Sequence, residues 1–368
     1  MRNFSIALAV WGICMTSLSE PLPYTSAFFE TGEPKILEES RENLEEIGEL
    51  EEEIVLLPEG ADLPVSAFGE VWGYLISGRE QSFRPDMPVS DIGYFGAEVN
   101  IYGQLVGVPN PKNIPGFSGR VHLVAGCSGQ ALTHFALAEN SDVRRKLIAD
   151  LLSAAEAFDG LQIDFENVPA RDGGAYRSFL AELSKGLGTG KMFTVALAAR
   201  SRTLENDVYD YGKIKDIVDR ILVMAYDEHW SGSKPGPIAS MDWCRSVANY
   251  ALKTVGPDKL IMGLPFYGRS WGNWNPGQAY IYSTVQRIKD EQRITEVSRD
   301  KGVPYFVYTA PITATVYYED DYSIANRLEL YRSLGVRGVG FWRIGQESLT
   351  VWNQVQLLRE TPPAQPGR

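Results

Sequence analysis

Polar side chains capable of acid–base chemistry recur at every second position in residues 159–167. This stretch reads Asp-Gly-Leu-Gln-Ile-Asp-Phe-Glu-Asn, and its alternation of polar and apolar residues is typical of a β-strand. Gln162, Asp164 and Glu166 then share one face, with neighbours about 7 Å apart along the strand. Each carboxylate disfavours ionisation of the next. The row is therefore better explained as an acid catalyst tuned by a neighbouring carboxylate than as the polar edge of a structural strand.

Short apolar strands alternate with helical patterns from residue 65 onward, and this order predicts the fold. Eight strands separated mostly by helices are typical of a (β/α)8 TIM barrel, an α/β fold, rather than of an open sheet. The longer connection over residues 272–319 predicts a small insertion of extra strands or turns between strands 7 and 8. The predicted strands are residues 71–77, 91–99, 120–126, 160–166, 191–198, 220–226, 259–265 and 338–342, and the predicted helices are residues 141–158, 175–186, 211–217, 240–255 and 323–333.

The ends of three predicted strands carry polar or aromatic side chains. Glu166 lies at the end of the fourth strand, Tyr226 and Asp227 close the sixth, and Trp342 closes the eighth. Because barrel enzymes carry their chemistry at the carboxyl ends of the strands, these residues are expected to meet at one rim. Their convergence indicates a single active-site cleft.

The acidity of the chain is concentrated near its N-terminus. The formal net charge is −12, but residues 30–59 hold twelve Glu against Lys35 and Arg41, a local charge of −10, and residues 1–29 are neutral, which leaves −2 for the rest. Residues 28–66 are therefore predicted to form an acidic linker or a solvated helix, with a partner-binding helix as the alternative. The charge pattern shows no basic footprint for a nucleic acid.

The first residues of the chain are typical of an export signal. Arg2 precedes an apolar run and then small residues, which predicts a signal peptide over residues 1–19 that ends at Ser19 or as late as Ala27. The run is too short for a transmembrane span. Lipid modification at Cys14 is the weaker alternative, since the residues before it fit that motif poorly. The protein is expected to be secreted, periplasmic or associated with the cell envelope.

The cysteine and histidine content argues against a metal centre. After removal of a signal peptide the chain keeps Cys127 and Cys244. Two cysteines make no disulfide framework, and both are expected to be unpaired even in an export compartment. The sequence has no C-x-x-C pair and no cluster of histidines, so neither a metal site nor a cofactor is predicted.

Several motifs together resemble glycoside hydrolase family 18, the chitinase-like barrels. Residues 159–166 are similar to the D-G-x-D-x-D-x-E signature of that family. The likeness extends through the Met-Ala-Tyr-Asp of residues 224–227 and the Gly-Leu-Pro-Phe-Tyr-Gly-Arg of residues 263–269 to Trp342. It covers roughly residues 71–358, which implies a catalytic barrel over residues 67–368.

Within the family, the details are most similar to the spore-cortex-lytic and germination-type N-acetylglucosaminidases. The Ile-Asp-Phe-Glu-Asn-Val-Pro of residues 163–169, the Tyr-Asp-Glu-His-Trp-Ser-Gly of residues 226–232 and the Phe-Trp-Arg-Ile-Gly of residues 341–345 carry this likeness. Members of that branch often have small peptidoglycan-binding repeats ahead of the barrel. Here the acidic segment occupies that place.

The resemblance implies retaining hydrolysis in which the N-acetyl oxygen of the substrate attacks the anomeric carbon. Glu166 would act as the acid and then as the base. Asp164 would orient the acetamide and stabilise the oxazolinium-like charge. Tyr226 would hydrogen-bond the acetamide oxygen with Asp227 in support, and Trp342 would form the platform beneath the sugar that is cleaved.

Further side chains are candidates for substrate binding, each with a structural alternative. Tyr74 and Tyr267 either line the groove or belong to the core and rim. Arg269 either contacts the substrate or pairs with an acid on the rim. The remaining candidates for the cleft are Met224, Trp230 and Trp271.

Gln162 departs from the common family pattern, which has Asp at this position, although the cortex-lytic branch often places Asn there. We hypothesise that its amide donates a hydrogen bond to Asp164 and keeps that residue ionised. The acid limb of the pH profile would then be simpler than in relatives with Asp. An unchanged pH–rate profile in a Gln162→Asp variant would contradict this hypothesis.

Together with the resemblance, the sequence predicts an exported, monomeric glycoside hydrolase that cleaves β-1,4 linkages at N-acetylglucosamine, with peptidoglycan as the expected polymer. Chitinase or chito-oligosaccharidase activity is the first alternative, since it would use the same catalytic residues. A non-catalytic glycan-binding barrel is the second, but such relatives typically lack the acid that Glu166 provides.

Overall fold

A closed ring of eight parallel strands forms the centre of the computed structural model, which describes residues 54–58, 60–272, 278–309 and 313–358. Consecutive strands pair with one another, and the last pairs with the first. The fold is therefore a (β/α)8 barrel, as predicted. The barrel strands are β1 (Glu70–Ile76), β2 (Asp91–Val99), β3 (Arg120–Cys127), β4 (Gly160–Phe165), β5 (Met192–Ala198), β6 (Arg220–Met224), β7 (Leu260–Pro265) and β8 (Gly338–Trp342).

Helices cover the outside of the barrel. All five predicted helices are present, although the third spans only Tyr211–Ile214. The sequence pattern missed the helix Gln130–Leu137, which is short and begins after Gly129, a residue without a capping side chain. The helices are Gln130–Leu137, Asp142–Ala155, Gly173–Leu187, Tyr211–Ile214, Met241–Val255 and Asp321–Ser333, with 3₁₀ turns at Glu80–Ser82, Pro111–Asn113, Ala170–Asp172, Gly188–Gly190 and Val351–Gln354.

The alternation along β4 separates two buried environments. Leu161, Ile163 and Phe165 are at most 1% exposed and belong to the main apolar cluster under the helices. Gln162 and Asp164 are also buried, on the face that points into the barrel. The polar residues of the strand are thus inside the barrel and not at a solvent-exposed edge.

The predicted insertion between β7 and β8 is present and forms a small sheet with its own apolar cluster around Val285, Phe306 and Val316. It begins already at Tyr267, immediately after β7. Its five antiparallel strands pair in the order Gln278–Ile281, Tyr267–Gly272, Thr313–Tyr317, Val303–Thr309 and Ser298–Asp300, and the helix Tyr282–Gln292 joins the first two elements to the rest. A further short strand, Leu105–Val106, pairs with the end of β2.

A buried polar cluster lies at the amino ends of the first barrel strands. The Asp91 carboxylate, which is fully buried, accepts hydrogen bonds from Arg120 at 2.6 and 2.9 Å and lies 2.7 Å from His122 Nε2. The Trp72 ring stacks on His122 with ring centroids 4.3 Å apart. Since the opposite end of the barrel carries the predicted catalytic residues, this cluster serves the stability of the barrel.

Two contacts outside the barrel join distant parts of the chain. The strand Ser66–Phe68 pairs in parallel with Val355–Leu357. Before it, residues 54–58 and 60–65 have no regular secondary structure, yet the Leu57 N–H donates to Asn326 Oδ1 at 2.7 Å and the Tyr322 hydroxyl donates to the Leu57 carbonyl. The described end of the acidic segment is therefore packed against the barrel.

The predicted signal peptide, Cys14 and most of the acidic segment lie outside the described residues. Within the described part of the chain, no helix has the length and apolar character needed to cross a membrane. Cys127 and Cys244 are buried free thiols.

Candidate active site

Gln162 is held by two side chains on other barrel strands, Tyr74 of β1 and Thr194 of the neighbouring β5, and not by Asp164. Its Oε1 accepts a 2.7 Å hydrogen bond from the Tyr74 hydroxyl, and its Nε2 donates to Thr194 Oγ1 at 3.0 Å. The hypothesis that Gln162 donates to Asp164 is therefore wrong. Strand geometry explains why: Thr194 is directly opposite Gln162 in the register of β4 with β5. Asp164 lies two residues further along the same strand, about 7 Å away.

Asp164 lies on the interior face of β4 and is 8% exposed. Its Oδ1 is buried and has no hydrogen-bond partner among the described residues. Burial raises the pKa of Asp164 to about 7, because removal from water disfavours the charged form. Because no donor among the described residues occupies Oδ1, this oxygen is available to accept a hydrogen bond from the N–H group of a ligand.

Glu166 follows β4 and reaches the rim of the barrel, where it is partly exposed. Its main-chain N–H donates to the Cys127 carbonyl at 2.9 Å, which ties this residue to the end of β3. Burial raises the pKa of Glu166 to about 8, and the negative charges of Asp164 and Asp227 add to that effect. A carboxyl group that keeps its proton near neutral pH is suited to general-acid catalysis.

The turn after Glu166 is fixed from the other side by Tyr209. Asn167 adopts a left-handed conformation, with φ of 58°. The Tyr209 hydroxyl donates to the Phe165 carbonyl at 2.8 Å and accepts from the Val168 N–H at 3.0 Å. One side chain thus holds the main chain on both sides of Glu166 and Asn167, which fixes the point from which the Glu166 side chain extends.

Asp227 is held by residues of the insertion. It has a φ of 61°, and its Oδ1 accepts from the Tyr267 hydroxyl at 2.5 Å and from Arg269 at 2.7 and 3.0 Å. Arg269 is 1% exposed and Tyr267 is 2% exposed. Of the two roles considered for Arg269, the structure therefore shows the pairing with an acid. Tyr267 is part of the same support, beneath the cleft.

Tyr226 lies between Asp227 and the end of β7. Its ring meets that of Tyr267 edge-on, with centroids 6.2 Å apart. A Cβ at Gly263 would lie 3.0 Å from the Tyr226 ring and 2.8 Å from the Val223 carbonyl, so the glycine is what allows the ring to approach β7. Within the described residues, no hydrogen bond occupies the Tyr226 hydroxyl, which leaves it available to a ligand.

Trp342 closes the interior of the barrel below the rim. Its ring lies against Phe95, with centroids 4.8 Å apart, and against Tyr74, at 5.7 Å. Met224 is partly buried and packs into the same interior cluster. Tyr74 is only 2% exposed and its hydroxyl is committed to Gln162, so its place is in the core, where it supports the polar row.

The loop after Asp227 is closed by Glu228. The Glu228 N–H donates to the Ile238 carbonyl at 2.9 Å, and its Oε2 accepts from the Ser240 N–H at 2.7 Å, at the start of the helix Met241–Val255. Trp230 on this loop is partly exposed, and its carbonyl accepts from Trp271 Nε1 at 3.2 Å. Trp271 is 7% exposed and supports the loop from below.

Three residues of this arrangement were missed at the level of sequence: Thr194, Tyr209 and Glu228. Thr194 is a polar residue within the otherwise apolar strand β5, and that exception was a usable signal. Glu228 belongs to a motif already singled out, next to Asp227. Tyr209 lies on a connection between elements and no local pattern distinguishes it.

The described residues contain no group of three or more His, Cys, Asp or Glu placed to hold a metal ion. A separate open depression lies on the insertion and includes none of the predicted site residues. It is lined by Arg293, Ile294, Thr295, Glu296, Ser298, Tyr305, Phe306 and Val307.

Comparison with known proteins agrees with this geometry. The family model Glycosyl hydrolases family 18 matches residues 120–347, which include β3 to β8 and the site residues from Gln162 to Trp342. Among curated proteins, the chain is 28% identical over 234 residues to the uncharacterized glycosylase YvbX of Bacillus subtilis strain 168. The aligned residues make up 59% of this chain and 67% of that protein. The chain spans 67%, 56% and 51% of the lengths of three curated Bacillus relatives that it matches.

Solved structures show the same fold. The Bacillus cereus spore cortex-lytic enzyme SleL superposes with a TM-score of 0.71 at 22% identity and covers 83% of this chain and 77% of that one. A chitinase from Chromobacterium violaceum superposes with a TM-score of 0.69 at 22% identity, over 78% of this chain and 97% of that one. At such identities the superpositions speak to the fold alone.

Proposed function

The chain belongs to the glycosyl hydrolases of family 18 and is a glycoside hydrolase, and we propose that it cleaves β-1,4 linkages at N-acetylglucosamine in peptidoglycan with Glu166 as acid and base. The observation that carries this proposal is the pair of carboxyl groups at the end of β4, with Asp164 buried on the strand and Glu166 just after it at the rim. The raised pKa of Glu166 lets its carboxyl group keep a proton near neutral pH. Asp164 lies two residues earlier, and its Oδ1 accepts no hydrogen bond from the described residues. This is the arrangement needed to protonate a leaving group beside an acetamide.

The first step breaks the glycosidic bond. The acetamide oxygen of the bound N-acetylglucosamine attacks its own anomeric carbon, while the Glu166 carboxyl group gives its proton to the departing glycosidic oxygen. The electron pair of the broken bond leaves with that oxygen, and the sugar becomes a positively charged oxazolinium ion. Asp164, as the anion, accepts the acetamide N–H and stabilises that charge.

The second step consumes water. The Glu166 carboxylate takes a proton from a water molecule, whose oxygen attacks the anomeric carbon and reopens the oxazolinium ring. Two displacements at one carbon retain its configuration. Tyr226 is positioned to donate to the acetamide oxygen from the end of β6, and Asp227 is held beside it by Tyr267 and Arg269.

Two considerations bear on the polymer. Glycosylases of this family act on glycans that contain N-acetylglucosamine, and a curated relative from Bacillus anthracis, 26% identical over 220 residues, is named a cortical fragment-lytic enzyme, which favours peptidoglycan. A relative from Homo sapiens, 24% identical over 236 residues, is named a di-N-acetylchitobiase, and cleavage of chitin-type linkages would use the same catalytic residues. Peptidoglycan remains the leading proposal because the sequence details of residues 163–169, 226–232 and 341–345 follow the cortex-lytic branch.

Digestion of two polymers tests the proposal. Purified protein is incubated with peptidoglycan glycan strands and with chitin oligomers, and the products are analysed by mass spectrometry. Fragments from peptidoglycan with N-acetylglucosamine at the reducing end support the proposal. Cleavage of chitin alone would assign the activity to a chitinase, and binding without products would contradict catalysis.

The control variant is Glu166→Gln, which keeps size and polarity but has no proton to give. Turnover is expected to fall by at least about 10²–10⁴-fold, the usual contribution of acid–base catalysis. Retained activity in this variant would overturn the assignment of Glu166.

We also propose that the protein is exported and acts as a monomer. The proposal of export rests on the signal-like sequence of residues 1–19. Fractionation of the producing cells, with N-terminal sequencing of the mature protein, tests export and locates the cleavage site. Light scattering of the purified protein tests the oligomeric state.

A further inference from the structure

Arg343 occupies an unusual place at the end of β8. It follows Trp342 directly and is only 8% exposed. Its main chain is fixed by Gln346, because the Arg343 N–H donates to Gln346 Oε1 at 3.2 Å and the Gln346 N–H donates back to the Arg343 carbonyl at 3.2 Å. The next residue, Ile344, donates to the Tyr74 carbonyl at 3.0 Å. The main chain of Arg343 is therefore fixed at the rim where β8 and β1 meet, and its guanidinium group is close enough to Arg79, on the loop after β1, for the two positive charges to interact.

This buried cation forms no ion pair in the part of the chain that the structure describes, and the negative charge of Glu347 offsets the cost of its burial only in part. Its Nε is buried without a hydrogen bond. The nearby Glu347 carboxylate accepts instead from the Gly345 N–H at 2.6 Å and from Trp352 Nε1 at 2.9 Å. The other buried arginines among the described residues are paired: Arg144 with Glu182, Arg269 with Asp227, and Arg327 with Glu319.

The surroundings make the positive charge of Arg343 unfavourable. Burial, with the positive charge of Arg79 on the loop after β1 as the second cause, lowers the pKa of Arg343 to about 10. A guanidinium group held out of water costs free energy unless an anion compensates it. An anion that entered beside Arg343 would relieve this cost, which is the property of a binding site.

We propose that Arg343 is a specificity-determining residue that binds a carboxylate of the glycan at the β8–β1 edge of the cleft, next to the sugar that lies on Trp342. The inference rests on the proposed function, and it names the group that distinguishes the substrates. Chitin is uncharged. Peptidoglycan alternates N-acetylglucosamine with a sugar that carries a lactyl ether, and wherever that ether bears no peptide its free carboxylate lies one sugar away from N-acetylglucosamine. A planar guanidinium group matches a carboxylate in shape and charge.

A pair of substrates that differ only in this carboxylate tests the proposal. One is peptidoglycan glycan strands stripped of peptides, in which the lactyl carboxylates are free. The other is the same material after chemical reduction of the carboxylates to alcohols. The wild-type enzyme is expected to show a higher kcat/KM on the charged strands. The Arg343→Gln variant is expected to lose about tenfold to a hundredfold on the charged strands, and little on the reduced strands or on chitin oligomers.

Two further variants separate binding from folding. Arg343→Lys keeps the charge without the planar fork, so it should lose less than Arg343→Gln on the charged strands. Arg337→Gln is the matched control, since Arg337 precedes the opposite end of β8 and pairs with the exposed Asp258. The Arg337→Gln variant should leave kcat/KM unchanged on both the charged and the reduced strands. A lowered melting temperature in Arg343→Gln does not obscure the result, because the ratio of the two substrates is measured within one variant.

The outcomes decide between distinct conclusions. Equal losses of Arg343→Gln on charged and reduced strands would show a structural role and overturn the proposal. A preference for strands that still carry peptides, where the lactyl group is an amide, would assign Arg343 to a peptide carboxylate and overturn the lactyl assignment. If the wild-type enzyme cleaves chitin but neither form of peptidoglycan, the proposed polymer fails together with this inference. If it cleaves both forms equally, the proposed function survives and only the role of Arg343 is lost.

Discussion

The Tyr209 hydroxyl donates a 2.8 Å hydrogen bond to the carbonyl of Phe165, the residue immediately before Glu166, and accepts from Val168 beyond the turn. Tyr209→Phe removes both bonds and leaves the Val168 N–H buried without a partner, so the free energy of unfolding should fall by about 1–3 kcal/mol. Because the turn positions Glu166, kcat should fall about tenfold while KM changes little. Urea unfolding and steady-state kinetics measure the two effects.

Tyr176 offers the matched control. Its ring meets that of Tyr209 edge-on at 5.9 Å, but its hydroxyl is buried without a hydrogen bond. Tyr176→Phe should leave both kcat and the free energy of unfolding unchanged or slightly raise the latter. Equal losses of kcat and of the free energy of unfolding in the two variants would show that ring packing is responsible, and not the two hydrogen bonds of the Tyr209 hydroxyl.

Replacement of Asp164 should change the proton affinity of its neighbour. The negative charge of Asp164 helps to raise the pKa of Glu166, so Asp164→Asn should lower the pKa of Glu166 and make it ionise at lower pH. Titration of the carboxyl carbons by ¹³C NMR measures this directly, even though the variant should lose most turnover. Asp258→Asn, an exposed and remote change, should leave that pKa as it is. An unaltered pKa of Glu166 in Asp164→Asn would show that Asp164 makes no contribution and that burial and Asp227 set the value.

Glu166 should also cost stability. Its pKa rises from an ordinary value of 4.5 to about 8 on folding, so between these values the folded protein holds a proton that the unfolded chain releases. The free energy of unfolding attributable to Glu166 therefore falls as the pH rises through this window. Each tenfold difference in proton affinity corresponds to about 1.4 kcal/mol. Glu166→Gln should thus be more stable than wild type at pH 8, with the advantage shrinking towards pH 4.5, as measured by urea unfolding at both values. An advantage independent of pH would contradict the raised pKa.

A Gln162→Glu substitution adds a carboxyl group beside Asp164 with almost no change in the shape of the side chain. In Gln162→Glu, one oxygen still accepts from Tyr74 and the other faces Thr194 Oγ1, which is able to donate. A second carboxylate on β4 should raise the pKa of Asp164 further. If catalysis needs Asp164 ionised, the acid limb of the kcat/KM profile should move to higher pH. Gln162→Met, which removes the amide without adding charge, is the control and should lower activity without moving the limb.

The barrel was predictable because its signals are local. Runs of apolar residues and their spacing lie within each segment, and the eight predicted strands agree with the structure to within two residues at each end. The placement of Glu166, Tyr226 and Trp342 at one rim followed from the fold, since parallel strands present their carboxyl ends together.

The partners of the site residues were not predictable in this way. Gln162 meets Thr194, 32 residues later, because of the register between two strands, and no pattern in either strand states that register. Tyr209 meets Phe165 across 44 residues because the connection after β5 is folded back against the end of β4, and no local pattern states that path. The sequence left both roles of Arg269 open, since a charged side chain at a rim has several acids within reach until the insertion is folded.

Leu57 is fastened to the helix Asp321–Ser333 through both its N–H and its carbonyl, and Leu56 lies 3.3 Å from where a Cβ on Gly302 would be. Anyone who shortens the chain for expression should therefore begin it at or before Ile54. A protein that starts at the first barrel strand would expose to water the apolar surface against which Leu56 packs, and the Asn326 side-chain oxygen would lose the Leu57 N–H as its donor. It would also lack the strand Ser66–Phe68, which pairs with Val355–Leu357 and so joins the two ends of the barrel. The useful N-terminal boundary of this enzyme lies inside the acidic segment and not after it.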